Sequence, residues 1–425
     1  MPRPNGTASI IACLAIMAAP LSARAATFQL IYPFGSYTGD AESPYAGLIA
    51  DSAGNLYGTT YGGGAHSEGT VYELTPPPTG QTTWTEAVLY SFDATTTHID
   101  GNAPTARLVL GAGGTLFGTC SAGGGNKGKG LVFELVPPRK QGGAWTRKIL
   151  HIFTGKLGDG ALPYGGLAID ANGVLYGTTS AGGSTARHKE AGYGIAFSLA
   201  APAGGKGAWT ETILHDFGTP GDQAISPYTD LLLGSNGTLF GTTRASKTTG
   251  YGTVYEVVPP TGGGTAWTEK VILNLPGGNR GDYPLSGVTT DASGALYGTA
   301  ASGTGTIFSL SPPTGTQNSW QETVLSLFPN KKYGTGPEGG VIISGGALFG
   351  TLGGGTKHSY GTVFELTPPT GSGSWTQTVL YNFPSDLSEG LYPAGNLVVD
   401  QSGDLVGITE DGGPNYSGEA YAITP

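Results

Sequence analysis

One short phrase, a leucine followed by an aromatic residue, glycine and threonine, returns seven times and constrains the fold more than any other feature. The aromatic residue or its equivalent occupies positions 57, 117, 176, 240, 297, 349 and 406, so successive copies lie 52 to 64 residues apart. A glycine-rich loop and a second phrase, typified by residues 69–74 (GTVYEL), follow in most copies. Repeats of this length indicate a solenoid, a propeller or an array.

Each repeat reads as four short β-strands. In the first copy, residues 46–50, 55–60, 70–75 and 84–92 are rich in strand-forming residues and are separated by glycine- and proline-containing turns. The fourth strand begins with tryptophan at positions 84, 145, 209, 267, 320 and 375, which accounts for all six tryptophans. We therefore expect these tryptophans to share one packing role.

The two ends of the chain complement each other. The seventh repeat stops after its third strand, whereas residues 27–34 align with residues 85–92 of a fourth strand. A closed ring explains this offset, because pairing the ends removes exposed sheet edges. Glycines recur near the first strand, where inner strands crowd the axis, at Gly47, Gly166, Gly287, Gly340 and Gly395. The sequence predicts an all-β, seven-bladed β-propeller over residues 26–425, with the N-terminal strand completing the C-terminal blade.

Residues 1–25 have the layout of a secretory signal peptide. Arg3 precedes an apolar stretch at residues 8–21, and the A-x-A site at residues 23–25 predicts cleavage near Ala25. We therefore expect a secreted, periplasmic or cell-surface protein without a membrane span. Only 12% of residues are charged and the net charge is -10, which argues against nucleic-acid binding. We expect a monomer.

The two phrases, L-[YF]-G-T-T and G-T-V-[YF]-E-L with a glycine-rich loop between them, resemble the GloVer repeat. This repeat is found in bacterial surface proteins described as choice-of-anchor tandem repeat proteins. The resemblance spans essentially all of residues 26–425 and implies export. Many members also carry a C-terminal sorting anchor, but we expect residues 422–425 of this chain to lie inside a strand. The resemblance implies no particular activity, substrate or catalytic residue.

Recognisable catalytic motifs are missing from the sequence, so neither a cofactor nor a catalytic residue is predicted. His151 and His215 occupy a strand position that holds tyrosine in other repeats, which favours a structural role. His66 and His358 share another position, but in blades that are not neighbours, so no metal site is predicted there.

An acidic residue recurs before a proline in the loop that leads into most blades. The series is Asp40, Asp100, Asp159, Asp222, Asp282 and Glu389. Such carboxylates commonly accept backbone hydrogen bonds within their own turns, and recurrence in nearly every blade favours that interpretation. The functional alternative is an acidic ring that binds a ligand.

The loop over residues 180–194 departs most from the repeat. It contains a polar group unusual in this charge-poor chain: Arg187, His188, Lys189, Glu190 and Tyr193. Loops on rigid scaffolds often carry function, so this group is a candidate ligand-binding site. The alternative is a tolerated surface insertion.

Two functions fit these observations. The first is a non-catalytic, exported module that binds a glycan or a protein. The second is a hydrolase or lyase that acts on polysaccharides from the loop face around the central channel. Propellers support both, so the fold alone does not separate them.

Overall fold

The computed structural model describes residues 26–93, 99–125, 128–140, 142–184, 192–262, 264–278, 281–301, 305–315, 317–328, 336–354 and 359–425. Over these ranges the chain consists of β-strands and loops with a few short 3-10 turns, which include Ala112–Gly114 and Ala203–Gly205. Seven small antiparallel sheets stand in a ring. The predicted seven-bladed β-propeller is confirmed.

The chain begins with β1 (Thr27–Pro33) and then builds the blades in order. Blade 1 comprises β2 (Ala41–Pro44), β3 (Ile49–Ala50), β4 (Leu56–Gly63), β5 (Thr70–Thr75) and β6 (Thr85–Ser91). Blade 2 comprises β7 (Val109–Leu110), β8 (Leu116–Cys120), β9 (Leu131–Val136) and β10 (Thr146–Ile152). Blade 3 comprises β11 (Gly160–Ala161), β12 (Ala168–Ile169), β13 (Leu175–Thr179), β14 (Ala181–Gly182), β15 (Ile195–Ala200) and β16 (Thr210–Asp216).

The remaining blades follow the same plan. Blade 4 comprises β17 (Ala224–Pro227), β18 (Leu232–Leu233), β19 (Leu239–Ser246), β20 (Thr253–Val258) and β21 (Thr268–Asn274). Blade 5 comprises β22 (Thr289–Thr290), β23 (Leu296–Ala300), β24 (Thr306–Ser311) and β25 (Gln321–Leu327). Blade 6 comprises β26 (Ile342–Ser344), β27 (Ala347–Leu352), β28 (Ser359–Thr367) and β29 (Thr376–Pro384). Blade 7 comprises β30 (Gly390–Val399), β31 (Leu405–Gly412) and β32 (Glu419–Thr424).

The ring is closed by its termini. Strand β1 pairs antiparallel with β32, from Thr27 opposite Thr424 to Pro33 opposite Glu419. The last sheet therefore has the order β1–β32–β31–β30, and its outermost strand comes from the start of the chain. This is the arrangement that the circular offset of the repeats predicts.

The repeated phrase is explained by contacts within and between blades. A Cβ on Gly58 would lie 2.3 Å from the Tyr72 hydroxyl oxygen, so only glycine lets the aromatic side chain of the third strand lie over the second. The next residue, Thr59, donates its hydroxyl to the carbonyl of Ala106 in blade 2, at 3.1 Å. Thr242 and Thr299 bind the following blade in the same way, at 3.0 and 3.1 Å. The phrase therefore fixes blades 1, 2, 4 and 5 to the blade that follows each of them.

The hydrophobic core lies between neighbouring blades. The aromatic residue that ends each outer strand is fully buried in most copies and meets the third-strand aromatic residue of the next blade edge-on. Phe92 and Phe133 are one such pair, with ring centroids 5.4 Å apart. Phe34 and Tyr72 make the same contact across the closure of the ring, at 5.0 Å.

Two sets of loops share one face of the ring. The loops that join blades pair with the loops between the second and third strands, as in Gly64 N–H to the Asp40 carbonyl at 2.7 Å. Strands β11 and β14 make the same association in blade 3. On the inner hairpins, Asp51 Oδ1 accepts the N–H groups of Ala53 and Asn55, and Gly54 has a positive φ of 89°.

Candidate functional site at the mouth of the central channel

A cavity of about 410 Å³ lies on the ring axis. It is lined by the residue that directly follows the proline of each blade-joining loop. We call these seven residues the mouth ring: Tyr45, Thr105, Tyr164, Tyr228, Leu285, Glu338 and Ala394. They line the axis because six of them lie just before the innermost strand of their blade and the seventh, Ala394, lies within it. Their chemistry differs from blade to blade, so the ring loses its symmetry here.

The narrow part of the cavity is built largely from glycine and backbone. A Cβ on Gly47 would lie 2.6 Å from the backbone nitrogen of Asn396, and one on Gly287 would lie 2.5 Å from the carbonyl oxygen of Asp230. Seven inner strands converge there, so side chains have no room. The expectation that recurring glycines mark a crowded axis is confirmed at these positions.

Asp230 is the main polar group of this narrow part. Its Oδ1 accepts the Gly166 N–H at 2.6 Å, and its Oδ2 lies 3.3 Å from Arg107 Nε. Arg107 and Asp230 come from blades 2 and 4, so the ion pair spans the intervening blade. Asn396 has an equivalent role on the other side, accepting the Gly340 N–H at 2.7 Å.

A group of stacked side chains occupies one wall. Tyr164 and Tyr228 stack with ring centroids 4.5 Å apart and an interplanar angle of 26°. The guanidinium carbon of Arg244 lies 4.7 Å from the centroid of the Tyr228 ring, a cation–π distance. Burial and the neighbouring Tyr164 raise the pKa of Tyr228, against the opposing effect of Arg244. The wall thus combines flat apolar faces with fixed hydrogen-bond donors.

Two glutamates line the cavity as well. Burial raises the pKa of Glu338. Burial, together with the charges of Glu338 and Asp411, raises the pKa of Glu410 to about 7. Gly353 leaves space for the Glu338 carboxylate, since a Cβ there would lie 2.4 Å from the carboxylate carbon. Tyr45, which is 48% exposed, has a pKa raised by burial and by Glu410.

The acidic residues singled out in the sequence lie apart from this cavity, at separate junctions between blades. Asp40 is fully buried and accepts the Tyr32 hydroxyl at 2.9 Å and the Ser36 N–H at 2.6 Å. Asp100 accepts the Tyr90 hydroxyl at 2.8 Å.

The other four acidic residues occupy equivalent positions in their blades. Asp159 accepts the Thr154 N–H at 2.7 Å, and Asp222 accepts the Thr219 N–H at 2.9 Å. Glu389 accepts the Tyr381 hydroxyl. Asp282 is partly buried. The structure therefore places five of the six carboxylates with hydrogen-bond partners near their own blade junctions, while Asp282 Oδ1 is buried without a hydrogen-bond partner among the described residues. It does not assemble the series into one site.

The loop singled out in the sequence is only partly described. Arg187, His188, Lys189 and Glu190 lie outside the described residues. Tyr193 is 40% exposed, and Lys247 Nζ lies 5.5 Å from its ring centroid.

The sequence prediction of site residues did not include the residues that line this cavity, because most of them depart from the repeat. Asp230 and Arg107 stand where other blades have the recurring glycine of the axis. Arg244 and Glu410 stand one residue after the repeated phrase, where other blades have Tyr61, Ser121, Ser180, Ala301 and Gly353. Residues that depart from the repeat, next to residues that follow it, were the sequence feature that could have identified this cavity.

The comparisons with known proteins concern family and fold. The family model described as the Gloeobacter/Verrucomicrobia repeat matches residues 20–223 and 183–421. No curated protein matches the chain by sequence.

Solved structures with a similar fold include a hypothetical selenium-binding protein from Sulfolobus tokodaii, at 12% identity and a TM-score of 0.52, covering 80% of this chain and 81% of that one. A proposed 6-phosphogluconolactonase from Bacteroides fragilis has 13% identity and a TM-score of 0.47, with coverages of 86% and 87%. A mutant of the NanB sialidase from Streptococcus pneumoniae has 11% identity and a TM-score of 0.43, with coverages of 97% and 72%. At these identities the likeness concerns the fold alone. Among the described residues, none forms a helix long and apolar enough to cross a membrane.

Proposed function

Because the chain belongs to the Gloeobacter/Verrucomicrobia repeat family, we propose that it is an exported, non-catalytic β-propeller that binds a glycan at the mouth of its central channel. Export is supported by the signal-like layout of residues 1–25 and by the GloVer resemblance. The site is supported by the broken symmetry of the mouth ring. Structural positions repeat from blade to blade, whereas the mouth ring has five residue types at its seven positions, with tyrosine at three of them.

The observation that carries the proposal is the stacked wall of Tyr164, Tyr228 and Arg244. A sugar ring presents an apolar C–H face and a rim of hydroxyl groups. Tyrosine rings offer flat apolar surface for such a face, and guanidinium and carboxylate groups satisfy hydroxyls that lose water. The cavity volume of about 410 Å³ falls within the range of roughly 300–1,000 Å³ typical of small-ligand pockets.

Charge also fits a neutral, hydroxyl-rich ligand. The cavity lining includes two arginines, Arg107 and Arg244, and three carboxylates, Asp230, Glu338 and Glu410. Arg107 is already paired with Asp230. This balance favours neither a strongly anionic nor a strongly cationic ligand.

The test is a glycan array followed by calorimetry on the purified chain, with Tyr228→Ala as the site variant. Loss of a stacked aromatic side chain with a cation–π partner should weaken binding by about tenfold or more, corresponding to about 1–2 kcal/mol. Tyr416→Ala is the matched control, because Tyr416 is 68% exposed and does not line the cavity. Equal losses in both variants, or binding only to protein ligands, would overturn the proposed site or ligand class.

One observation favours a second function, hydrolysis of a glycan. Glu410, with a pKa of about 7, could hold a proton near neutral pH beside a second buried carboxylate, Glu338. General acids in glycoside hydrolysis have this property, and two carboxylates share the work. Incubation with polysaccharides separates the functions: product release that Glu410→Gln abolishes would establish hydrolysis, whereas binding without products supports the binding module.

A further inference from the structure

Two clusters of like composition lie at neighbouring blade junctions, away from the channel. His151, Asp159 and Glu211 meet between blades 2 and 3, and their equivalents His215, Asp222 and Glu269 meet between blades 3 and 4. In each cluster, one donor atom from every residue lies within 4.8 Å of the other two. We infer that each cluster is a three-ligand site for a transition-metal dication of the Zn²⁺ type.

The spacing suits a shared cation better than direct hydrogen bonds. His151 Nε2 lies 3.6 Å from Asp159 Oδ1 and 3.6 Å from Glu211 Oε1. These separations exceed the ~2.7–3.2 Å of ordinary N–H···O hydrogen bonds. Ligand bonds of about 2.0–2.2 Å in tetrahedral geometry place neighbouring donors roughly 3.3–3.6 Å apart. The pair His215 Nε2 and Asp222 Oδ2 lies at 3.3 Å.

Five of the six facing atoms are buried and lack hydrogen-bond partners, whereas the sixth, Asp222 Oδ2, accepts the Thr219 N–H and hydroxyl groups. In the first cluster these atoms are His151 Nε2, Asp159 Oδ1 and Glu211 Oε1, and in the second they include His215 Nε2 and Glu269 Oε1. Buried polar groups normally find partners, so such convergence calls for an explanation. Asp159 directs one oxygen into the cluster while Thr154 donates to the other, as expected of a supported metal ligand.

A β-bulge produces the convergence. Opposite β15, Ile213 pairs with Phe197 and His215 with Ala196, so Leu214 is an extra residue in β16. A one-residue bulge reverses the alternation of side chains along a strand. Glu211 therefore points to the preceding junction and His215 to the following one, and β16 contributes a ligand to each cluster.

Another junction shows how the fold satisfies the same positions without a metal ion. Between blades 1 and 2 these positions hold Tyr90, Asp100 and Arg147, and the Arg147 guanidinium contacts the carboxylate directly. Replacing that arginine by glutamate and the tyrosine by histidine removes an internal cation and adds a carboxylate. Histidine with carboxylates selects Zn²⁺-like ions over Ca²⁺ or Mg²⁺.

The experiment is Zn²⁺ titration by calorimetry on the chelator-treated full chain, with bound metal counted by mass spectrometry. The wild type should bind two Zn²⁺ ions, Glu211→Gln and Glu269→Gln one each, and the double variant none at these sites. Loss of one of three ligands should weaken the affected site by at least about 100-fold, since even outer-shell losses cost roughly 10–100-fold. Thermal unfolding should show Zn²⁺-dependent stabilisation in the wild type and none in the double variant.

Two controls make the result decisive. Glu86→Gln changes the position equivalent to Glu211 at the junction of blades 7 and 1, where Tyr32 stands in place of the histidine and Tyr37 donates a hydrogen bond to Glu86. This variant should leave the stoichiometry at two. His66→Ala removes a partly exposed histidine elsewhere and should also leave it at two. Stoichiometry that falls with His66→Ala, that survives in the Glu211→Gln and Glu269→Gln double variant, or that is absent from the folded wild type would overturn the inference.

Discussion

Glu419 provides a sharp test of how burial controls the stability of the closing blade. It begins β32 at a position that holds threonine, leucine or isoleucine in the other blades. The residue is 1% exposed, and its Oε1 has no hydrogen-bond partner. Burial, reinforced by the charge of Glu389 and opposed by the Gly390 N–H, raises the pKa of Glu419 to about 7.

The sign of the effect follows from this pKa. A carboxyl group whose pKa is higher in the folded state than in the unfolded state destabilises the fold as it ionises. The contribution of the Glu419 carboxyl group to the free energy of unfolding is therefore greatest below about pH 4.5. It is lost as the pH rises through about 7. One pKa unit corresponds to about 1.4 kcal/mol. The rise from 4.5 to about 7 therefore limits the effect of Glu419 on the free energy of unfolding to about 3 kcal/mol.

The perturbation is Glu419→Gln, which keeps the shape of the side chain but cannot ionise. We expect it to raise the free energy of unfolding by about 1–3 kcal/mol at about pH 8 and to have little effect at about pH 5. The free energy of unfolding is measured by urea denaturation at both pH values, with tryptophan fluorescence as the signal. Glu419→Thr, which restores the residue of most blades, should remove the same pH dependence whatever its absolute stability.

If the free energy of unfolding depends on pH in the same way in the wild type and in both variants, ionisation of Glu419 does not destabilise the fold. Glu86, Glu269 and Glu410 have pKa values raised to about 7 as well, so part of the wild-type dependence should remain. The informative quantity is the difference between the wild type and each variant.

Two further predictions concern the ring and the tryptophans. Deletion of residues 27–34 should expose the edge of β32 and remove Phe34 from the core. We therefore expect the thermal midpoint to fall and the chain to self-associate. An unchanged midpoint with a monomeric elution volume would contradict closure of the ring. Trp209→Ala should cost about 1–2 kcal/mol in denaturant unfolding, less than the ~3–5 kcal/mol of a fully buried tryptophan, because Trp209 is only half-buried against Phe117. A loss within experimental error would show that this contact does not stabilise the blade.

The architecture could be predicted from the sequence because its determinants repeat. Gly58 and Thr59 have equivalents in other blades that make the same contacts. Recurrence over the seven copies distinguishes such structural positions from coincidental sequence matches. The circular offset required only an alignment of residues 27–34 with residues 85–92. Cys120 occupies the repeat position of Thr60 and Thr179, which predicts a small, half-buried strand residue, and it is fully buried on β8.

The candidate site could not be predicted in the same way, because its residues come together only when the ring closes. Tyr164 and Tyr228 are separated by a whole repeat, and their stacking depends on how closely the inner strands approach the axis. Sequence also gave no reason to group His151 with Glu211, since the bulge that turns these side chains toward one junction lies in the backbone. Both kinds of contact cross from one blade to another, whereas strand patterns report on a single blade.

The difference between repeated and irregular positions nevertheless suggests how function enters such a ring. Repeated residues bind each blade to its neighbours, so a change at one of them weakens a junction. The residue after each blade-joining proline lines the axial cavity and takes no part in the repeated threonine hydrogen bond between blades, so it can vary without losing that bond. In the proposed site, Tyr228 contacts the ligand, whereas Leu285, its counterpart in the next blade, only lines the wall. Positions that depart from the repeat, next to its most regular residues, are therefore where this fold can acquire a binding or catalytic site.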